Sequence, residues 1–418
     1  MVEPVAENLS EGVVLSPQAA TRATVALIAL RIGYAYNWFD VGPALPSIGT
    51  TYGVGPAQWG LLVAAFLVGG GLLQVPAGLL ARRYGARSVS LAGVGLLAVS
   101  AAACGAAPSF AILLSLRAIA GVGAALFFSP AIGLVASLYP PGRRGIPVGI
   151  FSSAFSAGSA LGIVVTALLI PPLGWQLSLV VGGAILGVAA LVSVVLVPST
   201  VGAAAKPPRV RAPGLPAALR YRGVWAVGIA FVGLEGATFA TGQFVVPWGE
   251  TVQGWTIALA GVVGTMFVLP SIVGGPIGGR VAERNRNHRT QFVVATLVGA
   301  GVLALLPWAG LAVALVIGTI FALSYGFIYA VMYVLPHFWR EVPAGEIPLA
   351  IGLLNSIQLA GGAGVSALFG EIVATHSYAV AWEVLAVLML ATLVALAMLP
   401  ATPADSADPP VAEGSDRP

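Results

Sequence analysis

The sequence predicts an all-α polytopic membrane protein, with twelve transmembrane helices in two pseudo-symmetric six-helix bundles. Three observations carry this prediction. Of the 418 residues, 58% are hydrophobic and 8% charged, with a mean hydropathy of +0.96; a soluble domain carries about 25% charged residues. The apolar residues fall in runs of about 20, enough to cross a hydrocarbon core of about 30 Å. Finally, the two halves repeat. Residues 78–83 read Gly-Leu-Leu-Ala-Arg-Arg and residues 279–284 read Gly-Arg-Val-Ala-Glu-Arg, an offset of 201 (279 − 78) that also relates Pro46 to Pro247, Gly60 to Gly261, Arg83 to Arg284, and Ile146-Pro147 to Ile347-Pro348. Duplicated hydrophobic halves place a binding site where the halves meet.

Residues 1–22 hold Glu3, Glu7 and Glu11 ahead of the first apolar run. They lack the basic start of a signal peptide and are read as a cytoplasmic segment. The first bundle, 23–197, has spans expected at 23–46, 58–80, 87–107, 109–137, 146–170 and 174–197. Residues 198–222 break the pattern with Lys206, Pro207, Pro208, Arg209, Arg211 and Pro213, as a cytoplasmic linker would. The second bundle, 223–399, has spans expected at 223–249, 255–281, 290–308, 310–336, 347–373 and 378–399. The tail, 400–418, is rich in Pro, Asp, Ala and Ser and is read as disordered and cytoplasmic. The 54 Gly and 30 Pro do not count against helices, because both are commoner in membrane spans than in soluble ones and small residues let helices approach closely.

Basic residues set the orientation. Arg82, Arg83 and Arg87 follow span two; Arg143 and Arg144 follow span four; Arg280, Arg284, Arg286 and Arg289 surround the loop after span eight; Arg340 follows span ten. The opposite loops hold no Lys or Arg, so the positive-inside rule puts both termini in the cytoplasm, with the plasma (inner) membrane as the expected location. The net charge of +4 therefore describes topology. No basic groove with stacking aromatics points to nucleic acid. His288, His337 and His376 are scattered, Cys104 is alone, and no Gly-rich stretch carries a P-loop Lys-Ser/Thr. Metal ligation, nucleophilic catalysis and nucleotide binding thus have no candidate residues, and neither an enzyme activity nor a cofactor is expected.

The stretch Gly78-x-x-Ala81-Arg82-Arg83-Tyr84-Gly85-Ala86-Arg87 resembles the inner-loop motif of the major facilitator superfamily, and Arg117-x-x-x-Gly121-x-Gly123 in span four is similar to its second motif. With the duplication, the resemblance covers nearly the whole chain and implies a monomeric secondary transporter. Gly149, Gly158 and Gly162 have the spacing of the family's exporters, but Ile163 stands where those have Pro. The family's inner-loop acid, which lies near the start of span eleven when the inner side is closed, is replaced by Arg82, while Glu346 immediately precedes span eleven and Glu341 lies five residues earlier. An exchange of sign is therefore expected, with Arg82 facing Glu346 or Glu341, and Glu283 facing Arg143 or Arg144. The expected gating set is Gly78, Arg82, Arg83, Arg143, Arg144, Gly279, Glu283, Arg284 and Glu346.

Charges inside spans are the strongest chemical signal, since each costs at least about 2.5–3.5 kcal/mol near mid-bilayer. They are Arg31 and Asp40 in span one, Arg117 in span four and Glu235 in span seven; Glu371 and Glu383 lie near outer helix ends. Tyr36, Asn37 and Asp40 share a helical face, and the offset matches Asn37 to Thr238, Asp40 to Thr241 and Tyr34 to Glu235. Tyr36, Asn37, Asp40, Glu235, Thr238, Tyr329 and Asn355 are expected to line one mid-membrane cavity for a small-molecule solute. Asp40, Glu235 and Arg117 are the candidates for carrying or controlling a coupling proton or other ion. Each has a structural alternative: Arg31 can snorkel, Arg117 can pair within its bundle, and Tyr325, Tyr329 and Tyr333 can be ordinary packing. So can Asn355 and Gln358, and Ser152, Ser156 and Ser159. The resulting expectation is proton-coupled movement of a small polar or anionic metabolite by alternating access. Proton-driven efflux of amphiphilic compounds and a non-transporting receptor or scaffold are the alternatives.

Overall fold

The computed structural model describes residues 16–140, 143–201, 219–285, 287–334 and 347–398. Nine helices among them are long and apolar enough to cross a bilayer, or ten if Pro56–Leu72 and Gln74–Tyr84, bent by 45°, count as one. The helix Gly145–Leu196 contains two spans, because Gly174 (φ 76°, ψ 162°) breaks it in a conformation that glycine adopts without a Cβ clash. Span one, Pro17–Phe39, completes the twelve; Arg22 and Arg31 lower its hydropathy. Spans three, four, seven, nine and ten are Ala86–Cys104, Phe110–Ser137, Arg222–Thr251, His288–Ala304 and Leu311–Val334. Span eight is Ile257–Met266 continued by Ser271–Arg284, and spans eleven and twelve are Ile347–Thr375 and Tyr378–Thr392.

Span one starts earlier and ends earlier than its apolar run. Ser16 caps it by accepting from the Ala19 N–H, with Pro17 in the first turn, a position where proline loses no helical hydrogen bond. Gly42, Pro43 and Pro46 then interrupt it, and the chain passes through a 3₁₀ turn, Gly42–Ala44, into Leu45–Tyr52.

Small residues bring the helices together within each half. Span five packs on span one at Gly158 and Gly162, where an added Cβ would run into the Ile32 and Tyr36 carbonyl oxygens. The halves meet through spans two and eleven, five and eight, and through span seven against the end of span one and the turn that follows it. Gly60 of span two faces Ser366 and Ala367, while Gly261 of span eight faces Ala167 and Val164. These are equivalent contacts under the 201-residue offset, both near the face opposite the Arg-bearing loops, which we call the basic face. On the pseudo-two-fold axis, residues meet their own equivalents: Trp38 stacks on Phe239 at 5.5 Å, and Gly42 packs against Gln243.

Candidate functional site

A cavity of about 680 Å³ lies between the halves, lined by spans one, four and five on one side and eight and ten on the other. Its wall runs from Arg31 and Phe155 at mid-depth to Ile146, Gly149 and Ile150 at the start of span five. From mid-depth the lining residues of spans four, five, eight and ten continue toward the helix ends nearest the basic face, so the cavity faces that side. Its inner end continues into a recess of about 30 Å³ bordered by Arg31, Tyr34, Gln74, Glu235, Tyr325, Tyr329, Asn355 and Gln358.

Aromatic packing closes the other side. Phe239 stacks with Trp38 and, at 5.8 Å, with Phe39; Phe66 and Phe155 meet the Trp38 ring edge-on at 4.9 and 5.6 Å. The Gln243 amide donates to the Trp38 carbonyl at 2.7 Å, tying span seven to the end of span one. Between the halves on the basic side of this plug, Ser156 and Ser271 share a hydrogen bond of 2.7 Å, and Ser356 donates to the Gly71 carbonyl at 3.2 Å beside the bend in span two.

Among the residues expected to line one cavity, Glu235, Tyr329 and Asn355 border the recess together. Tyr36, Asn37, Asp40 and Thr238 do not border it. The Tyr36 hydroxyl bonds Thr166 at 2.9 Å, and the Asn37 amide donates to the Gly33 carbonyl. Thr238 donates to the Leu234 carbonyl. Asp40 meets Arg117 at 3.5 Å with both side chains 1% exposed. Arg117 also donates to the Asn37 carbonyl at 3.1 Å, and its guanidinium lies 4.5 Å from the Phe66 ring centre. Helix geometry explains the split: Arg31 and Asp40 lie about half a turn apart in azimuth, and it is Arg31 that reaches the cavity.

Arg31 is 4% exposed. Its guanidinium sits 4.3 Å from the Phe128 ring centre, 4.7 Å from Tyr34 and Phe155, and 5.5 Å from Phe151. Neither Nε nor Nη1 has a hydrogen-bond partner among the described residues. Glu235, 3% exposed, is within hydrogen-bonding reach of Tyr325, while its Oε2 has no partner among the described residues. Tyr325 and Tyr329 lie 5.6 Å apart and both pack on Phe231. The Gln358 amide donates to Asn355 at 2.6 Å, and Ser129 donates to Gln74 at 2.9 Å. Sequence reading missed the wall residues Phe128, Phe155, Gln74 and Ser271. Cavity-facing and lipid-facing aromatics look alike in composition, so the sequence carried no signal that would have singled out Phe128 or Phe155.

Of the expected gating residues, Arg82, Arg83, Arg143, Arg144, Glu283 and Arg284 are exposed. The Arg117–Asp40 pair is the only ion pair within 4.0 Å among the described residues, so Glu283 pairs with neither Arg143 nor Arg144 in this state. Arg144 instead donates to the Tyr139 carbonyl. An added Cβ at Gly78 or Gly279 meets nothing within 4 Å. Glu341 and Glu346 lie outside the described residues, as do His337, Arg340 and the Tyr333 side chain.

Comparison with known proteins gives three kinds of likeness. The Major Facilitator Superfamily model matches residues 27–340. Multidrug resistance protein Stp of Mycobacterium tuberculosis is 33% identical over 156 residues, 36% of this chain and 29% of that protein. The tetracenomycin C resistance and export protein of Streptomyces glaucescens is 33% identical over 119 residues, 28% and 22% of the two chains. The niacin transporter NiaP of Acinetobacter baylyi is 29% identical over 156 residues, 36% and 35%. The matches thus span well under half of these relatives' lengths. Among solved structures, an inward-facing, unoccupied bacterial homologue of the human lysosomal transporter Spinster superposes with a TM-score of 0.72 at 19% identity, covering 92% of this chain and 96% of that one. A POT family transporter in complex with 5-aminolevulinic acid superposes with a TM-score of 0.73 at 12% identity, covering 90% and 96%.

Proposed function

The chain belongs to the major facilitator superfamily, and we propose that it is a secondary active transporter that moves a small polar or anionic metabolite by proton-coupled alternating access. One observation carries this reading. Charged and hydrogen-bonding groups from both halves (Arg31 from the first, Glu235, Tyr329 and Asn355 from the second) converge at the inner end of a cavity that both halves line. A cavity at the meeting of two repeats is where a rocking carrier holds its solute. By the positive-inside rule the cavity faces the cytoplasm of a plasma-membrane protein, and the bodies that rock are residues 23–197 and 223–399.

In this mechanism the roles divide by position. Glu235 lies where it can exchange a proton with solute or water in the cavity. Asp40 and Arg117 sit against the span-one backbone just beyond it, where a change in the protonation of Asp40 would alter the contact that fixes the end of span one. A scaffold on the same fold has no use for Arg31 and Glu235 buried at such cost. Efflux of amphiphilic compounds is the second reading. It is favoured by the apolar wall of Phe128, Ile132, Ile146, Ile150 and Phe155 and by the local likeness to Stp and the tetracenomycin exporter.

Reconstitution into vesicles with an imposed pH gradient and a solute panel tests the proposal. Gradient-driven accumulation is expected, and Glu235→Gln should abolish it while leaving solute exchange largely intact. Unchanged accumulation in Glu235→Gln, Asp40→Asn and the double variant would reject coupling through these carboxyl groups.

A further inference from the structure

Resting on the carrier reading, we infer that Arg31 is the binding point for a carboxylate on the solute, and that the solute class is a flat, apolar-bodied monocarboxylate. The four rings around Arg31 explain only part of its environment. Cation–π contacts satisfy the faces of a guanidinium, whereas its N–H groups lie in the plane and need acceptors. Nε and Nη1 have none among the described residues, in a part of the membrane where an unpaired cation is expensive.

No acid among the described residues fills this role. Asp40 is engaged by Arg117, and Glu235, on the opposite half, borders the same recess without coming within 4.0 Å of Arg31. The counterion is therefore missing from the described wall of the cavity, and the solute that enters would supply it. A carboxylate supplies the planar acceptor that suits Arg. Its binding also requires no ordering of the Arg side chain, which the rings already hold, so the cost of immobilisation is small.

Charge and shape narrow the class. Among the described residues Arg31 is the one cation bordering the cavity or its recess, and no second basic residue of that set stands by to balance a dianion such as a phosphate monoester. A cationic amphiphile would face Arg31 directly. Phe128 and Phe155 on one wall and Tyr325 and Tyr329 on the other leave apolar ring faces for the body of the ligand, a geometry favouring aromatic or other flat groups. A cavity of about 680 Å³ is within the range of small-molecule sites, about 300–1,000 Å³.

The test uses the full chain, purified in detergent, titrated with benzoate, hydrocinnamate and 2-naphthoate, with their uncharged amides, and with the matching primary amines. Binding is read by calorimetry. At least one carboxylate should bind about 30-fold or more tighter than its amide, the fold-change corresponding to the loss of a buried charge pair at about 2 kcal/mol. Arg31→Gln should remove that preference and Arg31→Lys should retain part of it. Equal affinity for carboxylate and amide in the wild type overturns the assignment, as does a preference that survives Arg31→Gln. The wild-type comparison stands even where a variant fails to fold. Exchange in vesicles separates this claim from the carrier reading. If amides or amines exchange and carboxylates do not, the carrier stands and the role of Arg31 falls; if no solute in a broad panel exchanges, the carrier reading falls with it.

Discussion

Gly60→Ala should drive the protein away from the state described here. Gly60 sits where span two meets span eleven on the closed side, and a Cβ there would lie 2.7 Å from the Ser366 carbonyl oxygen and 3.1 Å from the Ala367 Cα and carbonyl oxygen. All three are backbone atoms, so no rotamer change relieves the overlap and the helices must separate. Overpacking of this kind costs about 1–3 kcal/mol. In the opposite state the contact is open and the methyl group is free, so the cost falls on one conformation only. The ratio of the two states then changes by about 5- to 140-fold. Single cysteines placed near Gly53 and Gly254, in a chain whose own Cys104 is buried, report the change as faster alkylation from the face opposite the basic loops. Gly95→Ala is the control, since a Cβ there meets nothing within 4 Å. Labelling of these cysteines in Gly60→Ala no faster than in the control would refute the assignment of this contact as one that opens.

Three further outcomes follow from the same structure. Asp40→Asn leaves Arg117 buried without a counterion and should lower stability by about 3–5 kcal/mol, read as thermal unfolding in detergent; adding Arg117→Gln should recover much of the loss, and no recovery would show that the two do not act as a pair. Arg82→Glu should favour the state open to the basic face and Glu346→Arg should restore the balance, each exposed pair contributing about 0.2–1 kcal/mol; distance measurements across that face that show no rescue would exclude an exchanged-sign gate. Gly174→Ala forces a side chain into a backbone region used almost only by glycine and should cost about 1–3 kcal/mol, so an unchanged melting temperature would argue against the break between spans five and six.

The fold was legible because its two determinants, apolar length and duplication, are properties of the chain itself. The break at Gly174 was visible as the gap between the runs ending at 170 and starting at 174, and the 201-residue offset paired Gly60 with Gly261, which only the structure shows to be contacts between the halves. The site was only partly legible. A helical face can be read from spacing, but which face turns to the centre depends on neighbours from four other helices. Polarity suggested Tyr36, Asn37 and Asp40 for the centre, whereas in the structure their hydrogen bonds are made within the first bundle to Thr166, Gly33 and Arg117. The converse holds for Arg31, which as a lone basic residue in an apolar span reads equally well as a snorkelling anchor.

One signal in the sequence went further than polarity, and it comes from symmetry. When two equivalent bodies pack about a two-fold axis, a residue on the axis touches its own counterpart, as in any isologous interface. An offset of 201 therefore marks axial residues as pairs that must suit each other: Trp38 with Phe239, and Gly42 with Gln243. Both pairs are in contact. Their chemistry is asymmetric, a small residue opposite a large one in the second pair, and that asymmetry lets the Gln243 amide cross the axis to the Trp38 carbonyl. Removing the amide by Gln243→Leu keeps the volume and deletes one inter-half hydrogen bond, a loss of about 0.5–1.5 kcal/mol felt only while the face opposite the basic loops is closed. The expected result is labelling of cysteines near Gly53 and Gly254 about 2- to 12-fold faster, in the same direction as Gly60→Ala and additive with it, because the two contacts share no atoms. Opposite directions for the two variants would mean that the axial contact and the span two–span eleven contact do not open in one motion.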